Sequence, residues 1–364
     1  MRRLGVSVLA VALTAGLSIA YAGAAIASSS AIAAKRIVIG PRQSIQQAVE
    51  HAKPGTTIVL RPGVYHQSVL IRKDKITLRG SGARRTVIKP PRHAPNNVCT
   101  KAFGEIGICV VAQKVGPKGK VFKTVRGDTI SNLSVVGFHS SGVFGYGTVG
   151  LAVTHVTAKD DGDYGISRFN STTTQFTHDI AIGNHEAGFY VGDSPDADTV
   201  VRDDRAIGNE FGIFIRHARE VMVTHNYAAR NCEGIFVLDD GQRGGAGNAL
   251  IKGNRVVSNN KFCPKGEENP VSLQGGGILL LGATETSVIG NVVNGNAAKQ
   301  LNSGGIVVFS AMSLTHGSDP NSDTIKNNNA HRNQPADLIW DGTGTSVTFA
   351  GNHCTMSVPS GFCS

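Results

Sequence analysis

A short phrase recurs along the chain from about residue 142 onward: a glycine followed by three or four apolar residues. The glycines at positions 142, 165, 188, 212 and 234 are separated by 23, 23, 24 and 22 residues, and later steps of 43 and 28 residues carry insertions. Gly188-Phe189-Tyr190-Val191 and Gly212-Ile213-Phe214-Ile215 are two clear copies. Self-similarity at a fixed period indicates stacked units, none of which can bury its apolar face alone.

A second series interleaves with the first and places a polar residue after each strand-like run. Its members are His155, Asp179, Asp204, Asn226, Asn254, Asn291, Asn328 and Asn352. The units are rich in Val, Ile, Thr, Asn and Gly and lack the spaced leucines of a horseshoe repeat. Three short strands per coil fit this pattern. The sequence therefore predicts an all-β, single-stranded parallel β-helix with a ladder of stacked asparagines.

The N-terminal part predicts a cap for this stack. Residues 44–52 form an amphipathic helix with Ser44 at the N-cap and Gln47 in the capping-box position. Such a helix can cover the open end of a β-helix and shield it from edge pairing. We predict one β-helix domain over residues 35–364, with a long loop at about residues 90–126 and an insertion at about residues 241–276.

Three motifs carry a resemblance to a known family. They are Ser44-Ile45-Gln46-Gln47-Ala48, Pro62-Gly63-Val64-Tyr65 and Ile76-Thr77-Leu78-Arg79-Gly80-Ser81-Gly82. Together with the Asn/Gly coils, they resemble the pectate-lyase-like superfamily. The resemblance implies a right-handed parallel β-helix, a pectin-lyase-like solenoid, over nearly the whole mature chain. It implies little about activity, because the superfamily includes lyases, esterases, glycosidases, epimerases and inert spikes.

The N-terminus reads as a secretory signal peptide over residues 1–27. Arg2 and Arg3 precede an apolar run, and small-residue cleavage sites follow it. We therefore expect a secreted, extracellular protein with no membrane association after cleavage.

Six cysteines remain in the mature chain, and disulfides are the default in an oxidising compartment. Sequence proximity favours Cys99 with Cys109 and Cys354 with Cys363, which leaves Cys232 for Cys263. Zinc binding is the alternative, although the chain contains no Cys-x-x-Cys pair.

The chain is basic. Its formal net charge is +10, and removal of Arg2 and Arg3 leaves +8. A basic protein favours acidic partners such as uronate polymers, anionic cell-wall polymers or nucleic acid, although charge also serves solubility. We expect a monomer whose partner is an acidic polysaccharide rather than nucleic acid.

The fifth residue after each repeat glycine forms a polar row near the end of a strand. Asn170, Asp193, His217 and Asp239 occupy this row, with Arg216 beside it. Stacking places His217 roughly 5 Å from the carboxylates on either side. We predict His217, Arg216, Asp193 and Asp239 as catalytic residues, while a solvated ion-pair ladder is the structural alternative.

The second residue after each glycine should point outward, because side chains alternate along a strand. This stripe contains Tyr190, Phe214 and Phe236, followed by Leu279 and Val307. It predicts either a sugar-binding groove or a surface covered by a loop such as the insertion at 241–276. Arg168 is a further candidate for binding substrate, although strict alternation would turn it inward.

These candidates fit a lyase or epimerase for an acidic, uronate-containing polysaccharide. A cation would neutralise the uronate carboxylate and a base would remove the adjacent C5 proton. Asp193, Asp239 and Asp240 are candidate calcium ligands, and no other cofactor is expected. The alternative is a non-catalytic extracellular protein that binds cell-wall polymer or a partner protein through the aromatic stripe.

Overall fold

Each coil of the chain contributes one strand to each of three parallel sheets, here called A, B and C. The computed structural model describes residues 35–266, 271–300 and 302–364, so the predicted signal peptide lies outside the described residues. One coil runs through Thr174–Thr177 in sheet A, Ile180–Ile182 in sheet B and Ala187–Ser194 in sheet C. The chain then re-enters sheet A at Thr199–Arg202, one layer further along.

The strands of each sheet follow the order of the chain, apart from short edge pairs. Sheet A contains Arg36–Ile39, Thr57–Leu60, Thr77–Arg79, Thr129–Ser131, Ala152–Thr154, Thr174–Thr177, Thr199–Arg202, Val221–Thr224, Leu250–Lys252, Ser287–Ile289, Thr324–Lys326 and Thr348–Ala350. Sheet B contains Gly63–His66, Thr86–Lys89, Ser134–Val136, Thr157–Lys159, Ile180–Ile182, Arg205–Ile207, Tyr227–Ala229, Arg255–Val257, Val292–Asn294, Asn329–His331 and His353–Cys354. Sheet C contains Val69–Ile71, Ile108–Val111, Val143–Tyr146, Ile166–Phe169, Ala187–Ser194, Phe211–Ala218, Glu233–Leu238, Gly276–Leu281, Gly304–Phe309, Leu338–Trp340 and Ser357–Val358.

Apolar residues fill the interior in register. Phe189 of sheet C pairs with Ile213, which pairs with Ile235 of the next coil, and all three are fully buried. Because every coil repeats this arrangement, each layer of aliphatic side chains packs on the layers above and below it. The parallel β-helix predicted from the repeat is confirmed.

Two polar ladders satisfy the backbone at the corners of the coil. Between sheets A and B, the amide of Asn226 donates to the side-chain oxygen of Asn254, and each later coil repeats the bond. This predicted ladder is confirmed from Asp179 onward. His155 is the exception, because Val156 is in register with Asp179 and donates its backbone N–H to that carboxyl.

The second ladder, which the sequence analysis missed, lies between sheets B and C. It contains Asn184, Asn209, Asn231, Asn259, Asn296 and Asn333. In both ladders, a buried side chain accepts from a turn amide that would otherwise lack a partner.

The N-terminal helix spans Ile45–His51 and begins as predicted, with Ser44 accepting from the backbone N–H of Gln47. Its buried residues Ile45, Ala48 and Val49 pack on the first coil. Two other short helices span Val98–Phe103 and Met312–Thr315, and a 3-10 turn spans Pro117–Gly119.

The two predicted loops have regular strands inside them. The 90–126 segment contains the buried sheet C strand Ile108–Val111, and the 241–276 segment contains Leu250–Lys252 and Arg255–Val257. The first segment also carries a hairpin that pairs Lys114–Val115 with Val121–Lys123, followed by Val125–Arg126, which pairs with Thr148–Val149. The sequence bounds were too wide because long excursions separate these strands from their neighbours in the chain.

The three predicted disulfides are present: Cys99–Cys109, Cys232–Cys263 and Cys354–Cys363. Across the described ranges, no helix combines the length and apolar character needed to cross a membrane.

Candidate functional site

The predicted polar row lies in register along one edge of sheet C. Pairing of Phe169 with Gly192 and of Arg216 with Leu238 aligns Asn170, Asp193, His217 and Asp239 on successive coils. The first three share a left-handed backbone conformation, with φ of 46°, 50° and 49° respectively. Asn, Asp and His adopt this conformation more readily than most residues, so the backbone itself selects these side chains.

Asp193 and His217 approach each other within this row. The Nδ1 atom of His217 lies 3.5 Å from Oδ1 of Asp193, and the Asp193 side chain is 36% exposed. The Nε2 atom of His217 lies 2.7 Å from the carbonyl oxygen of Arg243. Because a carbonyl only accepts hydrogen bonds, Nε2 carries the proton, and Nδ1 faces Asp193 with no hydrogen-bond partner.

Asp239 continues the row in the backbone but serves a different purpose. Its carboxylate accepts from the backbone N–H groups of Gly241 and Ser318, and its carbonyl accepts from Thr315. Asp239 therefore holds two loops together. The expectation that it acts with His217 does not match these contacts, because the loop amides occupy both carboxylate oxygens.

Arg216 lies beside the row and forms an ion pair with Asp240, with Nε 2.9 Å from Oδ2. Burial alone would raise the pKa of Asp240, but hydrogen bonds from Gln242 and Arg216 outweigh burial and hold this pKa below its ordinary value. Asp239 and Asp240 both accept hydrogen bonds from N–H donors, and calcium binding at these carboxylates stays a prediction. Within the described ranges, no three His, Cys, Asp or Glu side chains converge as metal ligands.

An open cleft of about 470 Å³ adjoins the row. Asn170 and Asp193 line one side, and Lys118 and Lys120 of the hairpin line the other. The hydroxyl of Tyr146 donates to the carbonyl oxygen of Gly119 at 2.6 Å and so fixes the hairpin against sheet C. Burial and the nearby charge of Asp193 raise the pKa of this hydroxyl.

The hairpin also exposes an aromatic ring between cations. Phe122 is 56% exposed, and the Nζ atoms of Lys114 and Lys120 lie 5.8 and 5.4 Å from its ring centroid. The exposed ring and the two ammonium groups form a cationic, partly apolar surface on the hairpin. Sequence analysis missed these residues, since the only signal was a Gly/Pro/Lys-rich loop of unknown position.

Arg168, expected as a substrate-binding cation, lies inside the helix and is fully buried. Its guanidinium donates to the hydroxyl of Thr199 and the carbonyl of Ala197. Burial lowers the pKa of Arg168 to about 9. The expectation was wrong because strict alternation along Ile166–Phe169 holds to the end of the strand.

The aromatic stripe is present on the outer face of sheet C, but it is covered. Tyr190, Phe214 and Phe236 are each buried, and Leu273 and Cys263 of the predicted insertion pack against them. The covering loop that the sequence analysis gave as the alternative is therefore present over this face. A mostly apolar cavity of about 190 Å³ remains beneath the cover, with Arg216 and Asp240 among its lining residues.

One buried acid, Glu233, lies under this cover. Glu233 is fully buried, accepts from the amide of Asn302, and has no partner for its second carboxylate oxygen. Burial and the charge of Glu210 raise its pKa well above the ordinary value. The absence of a side chain at Gly276 makes room for this carboxyl group.

Comparisons with known proteins agree with this geometry at the level of fold. The family model described as a right handed beta helix region matches residues 141–319. A comparison with curated proteins gives no match for this sequence.

Three solved structures with the same architecture belong to proteins with different names. The A-module of the mannuronan C-5 epimerase AlgE6 from Azotobacter vinelandii is 15% identical with a TM-score of 0.58, covering 84% of this chain and 87% of that chain. An alginate lyase from a Paenibacillus species is 16% identical with a TM-score of 0.53, covering 79% and 95%. The Dettilon tailspike protein is 14% identical with a TM-score of 0.54, covering 87% and 66%.

The three sheets, the corner ladders and these comparisons define the class: the chain is a right-handed parallel β-helix repeat protein. Identities this low establish the fold alone, so the function must be argued from the site.

Proposed function

We propose that this is a secreted, carbohydrate-active protein that acts on an acidic, uronate-containing polysaccharide as a lyase or an epimerase. The observation that carries the proposal is the Asp193–His217 pair at a cleft whose opposite wall carries Lys118 and Lys120. A mannuronan C-5 epimerase and an alginate lyase have the same fold, which supports the substrate class by analogy.

Asp193, Lys118 and Lys120 line the cleft, and His217 is buried beside Asp193. Together they supply the groups that removal of a proton from C5 requires. Lys118 and Lys120 neutralise the uronate carboxylate, which makes the adjacent C5–H bond more acidic. When that bond breaks, the proton moves to the Asp193–His217 pair and the electron pair delocalises into the carboxylate group. Return of a proton to the opposite face gives epimerisation, whereas breakage of the C4–O bond and protonation of its oxygen gives elimination.

Phe122 and the hairpin lysines provide the binding part of the proposal. The ring offers an apolar face to one sugar while Lys114 and Lys120 contact carboxylates. This hairpin replaces the covered aromatic stripe as the binding element.

The test measures exchange at C5. Mature protein is incubated in D₂O with alginate, pectate and glycosaminoglycans, with calcium and with a chelator. Proton NMR follows deuterium at C5, and ultraviolet absorbance follows unsaturated ends. We expect D193N and H217A to lower the rate by about a hundredfold or more, the ordinary loss of an acid–base group.

The chain offers a matched control at another corner. His178 and Asp203 also have left-handed backbones, and their side chains lie 3.9 Å apart on the surface. H178A and D203N should therefore keep the wild-type rate. Wild-type activity in D193N and H217A would refute the assigned pair, and polymer binding without exchange or elimination would favour the alternative, a non-catalytic binding protein.

A further inference from the structure

The charges of this protein are separated along the axis of the helix. Residues 35–126 contain 19 Lys and Arg against 3 Asp and Glu, a net charge of +16. Residues 127–364 contain 15 Lys and Arg against 23 Asp and Glu, a net charge of −8. The basic character of the mature chain therefore comes entirely from the capping helix, the first coils and the hairpin.

These cations are exposed and unpaired with acids. Of the 19, all are exposed except Lys73, which is half-buried. The ion pairs found within the described part of the chain all join residues between 159 and 285. Like charges concentrated at one end repel each other and oppose folding, whereas solubility alone would be served by dispersed charge.

Part of this charge forms a continuous surface, here called the N-terminal basic surface. It comprises the exposed side chains of Arg36, Arg61, Arg79, Arg84, Arg85 and Lys89. Arg36 and Arg79 lie on sheet A and line a shallow depression with Thr57 and Ser81. Arg61, Arg84 and Arg85 lie at the corner between sheets A and B, and Lys89 lies at the end of the sheet B strand Thr86–Lys89.

We infer that the N-terminal basic surface binds an anionic polysaccharide strand outside the cleft and retains the polymer while the cleft acts on it. This inference rests on the proposed function for the identity of the polymer. A uronate polymer presents carboxylates at regular intervals, and stacked coils present cations to it in successive layers.

Nucleic acid fits this surface less well. Proteins that bind single strands stack bases on exposed rings, but of the aromatic residues in this segment Tyr65 is fully buried and Phe103 is half-buried. Only Phe122 is exposed, and it lies on the hairpin. Readers of the DNA major groove insert a helix or a ribbon, whereas this surface is the flank of a sheet.

The test compares two variants that remove the same charge from different parts of the β-helix. R36Q/R79Q/R84Q/R85Q alters the N-terminal basic surface, and R230Q/K252Q/R255Q/K326Q removes four exposed cations from later coils. Affinity electrophoresis in gels containing polygalacturonate or alginate gives the Kd at several salt concentrations. We expect the N-terminal variant to bind about tenfold more weakly with a shallower salt dependence, and the matched variant to change less than about twofold.

Equal losses in the two variants would overturn the inference, since net charge alone would then explain binding, and so would no loss in the N-terminal variant. If that variant is less stable than wild type, R36Q/R79Q and R84Q/R85Q divide the change, and each should weaken binding about threefold. If the polymer binds through this surface but no C5 exchange occurs, the proposed reaction is refuted and the inferred binding surface stands. If C5 exchange occurs and the N-terminal variant binds the polymer as wild type does, only the inferred binding surface is refuted.

Discussion

Backbone conformation selects many of the conspicuous polar residues of this chain. His178, Asp203 and His225 all have positive φ at the corner between sheets A and B, just as Asp193 and His217 do at the end of sheet C. A left-handed residue ends a strand sharply and favours Asn, Asp, His or Gly. Residue type alone therefore does not identify a catalytic group; the neighbouring cleft and its lysines distinguish the Asp193–His217 pair.

One aspartate of the corner ladder, Asp204, is less well satisfied than the asparagines that follow it. Asp204 accepts from the backbone N–H of Asp179, but its second oxygen is buried without a partner. In the next coil, the amide of Asn226 donates to Val201 and Asn254. Burial raises the pKa of both Asp179 and Asp204 well above the ordinary value, and the charge of Asp204 adds to the effect on Asp179.

We predict that D204N stabilises the protein at neutral and higher pH by about 1–2 kcal/mol, because the amide can donate where the carboxylate cannot. A folded-state pKa above the unfolded value means that the stability contributed by this group is present at low pH and lost as pH rises through the folded-state pKa. The gain in Tm should therefore be larger at about pH 8 than at about pH 5. N226D, the reverse change, should lower the Tm at pH 8; equal shifts at both pH values would contradict the explanation.

At the scale of elements, the outer face of sheet C depends on its cover. The Cys232–Cys263 disulfide ties the covering segment to the strand that carries Phe236, across a sequence separation of 31 residues. Phe214 and Phe236 stack at 5.2 Å beneath it. Without this cover, the aromatic stripe would be a large exposed apolar patch.

We predict that C232S/C263S loosens the cover and costs about 3 kcal/mol, as expected for a loop of this length. Binding of an apolar fluorescent dye should rise because the aromatic stripe becomes accessible. C354S/C363S is the matched control, since its disulfide closes a short C-terminal loop away from the stripe. A similar rise in dye fluorescence in the control would argue against the assigned role of the cover.

At the scale of the whole molecule, stacked coils contact only their neighbours, so local stability follows local charge. The segment of net charge +16 lies at one end, where its cations repel each other. At 0.1 M salt, the repulsion between exposed charges more than about 10 Å apart is largely screened.

We therefore predict that raising salt from about 0.02 M to about 0.5 M increases the opening free energy of residues 35–126 by about 1 kcal/mol. Residues 127–364 should change less, because their charges are mixed and partly paired. Hydrogen exchange with peptide-level resolution measures both segments in one sample. A uniform increase along the chain would indicate a general salt effect instead.

The sequence by itself determined the architecture, because the repeat acts locally and identically in every coil. Glycine-led apolar triplets set the strands, the polar series set one corner ladder, and cysteine proximity set the disulfides. Register followed from the period, so the alignment of Asp193 with His217 was predictable as well.

Only the tertiary structure decided which loops and hairpins pack against the stacked coils. The hairpin with Lys118 and Phe122, the cover over Phe236 and the turning of Asp239 toward Ser318 all depend on excursions that do not repeat. A repeat fixes the position of every residue within its coil but not the path of a segment that leaves the coil, because such a segment is placed by contacts with residues distant in the chain. The framework was therefore predictable from the sequence, whereas the cleft formed against it was not.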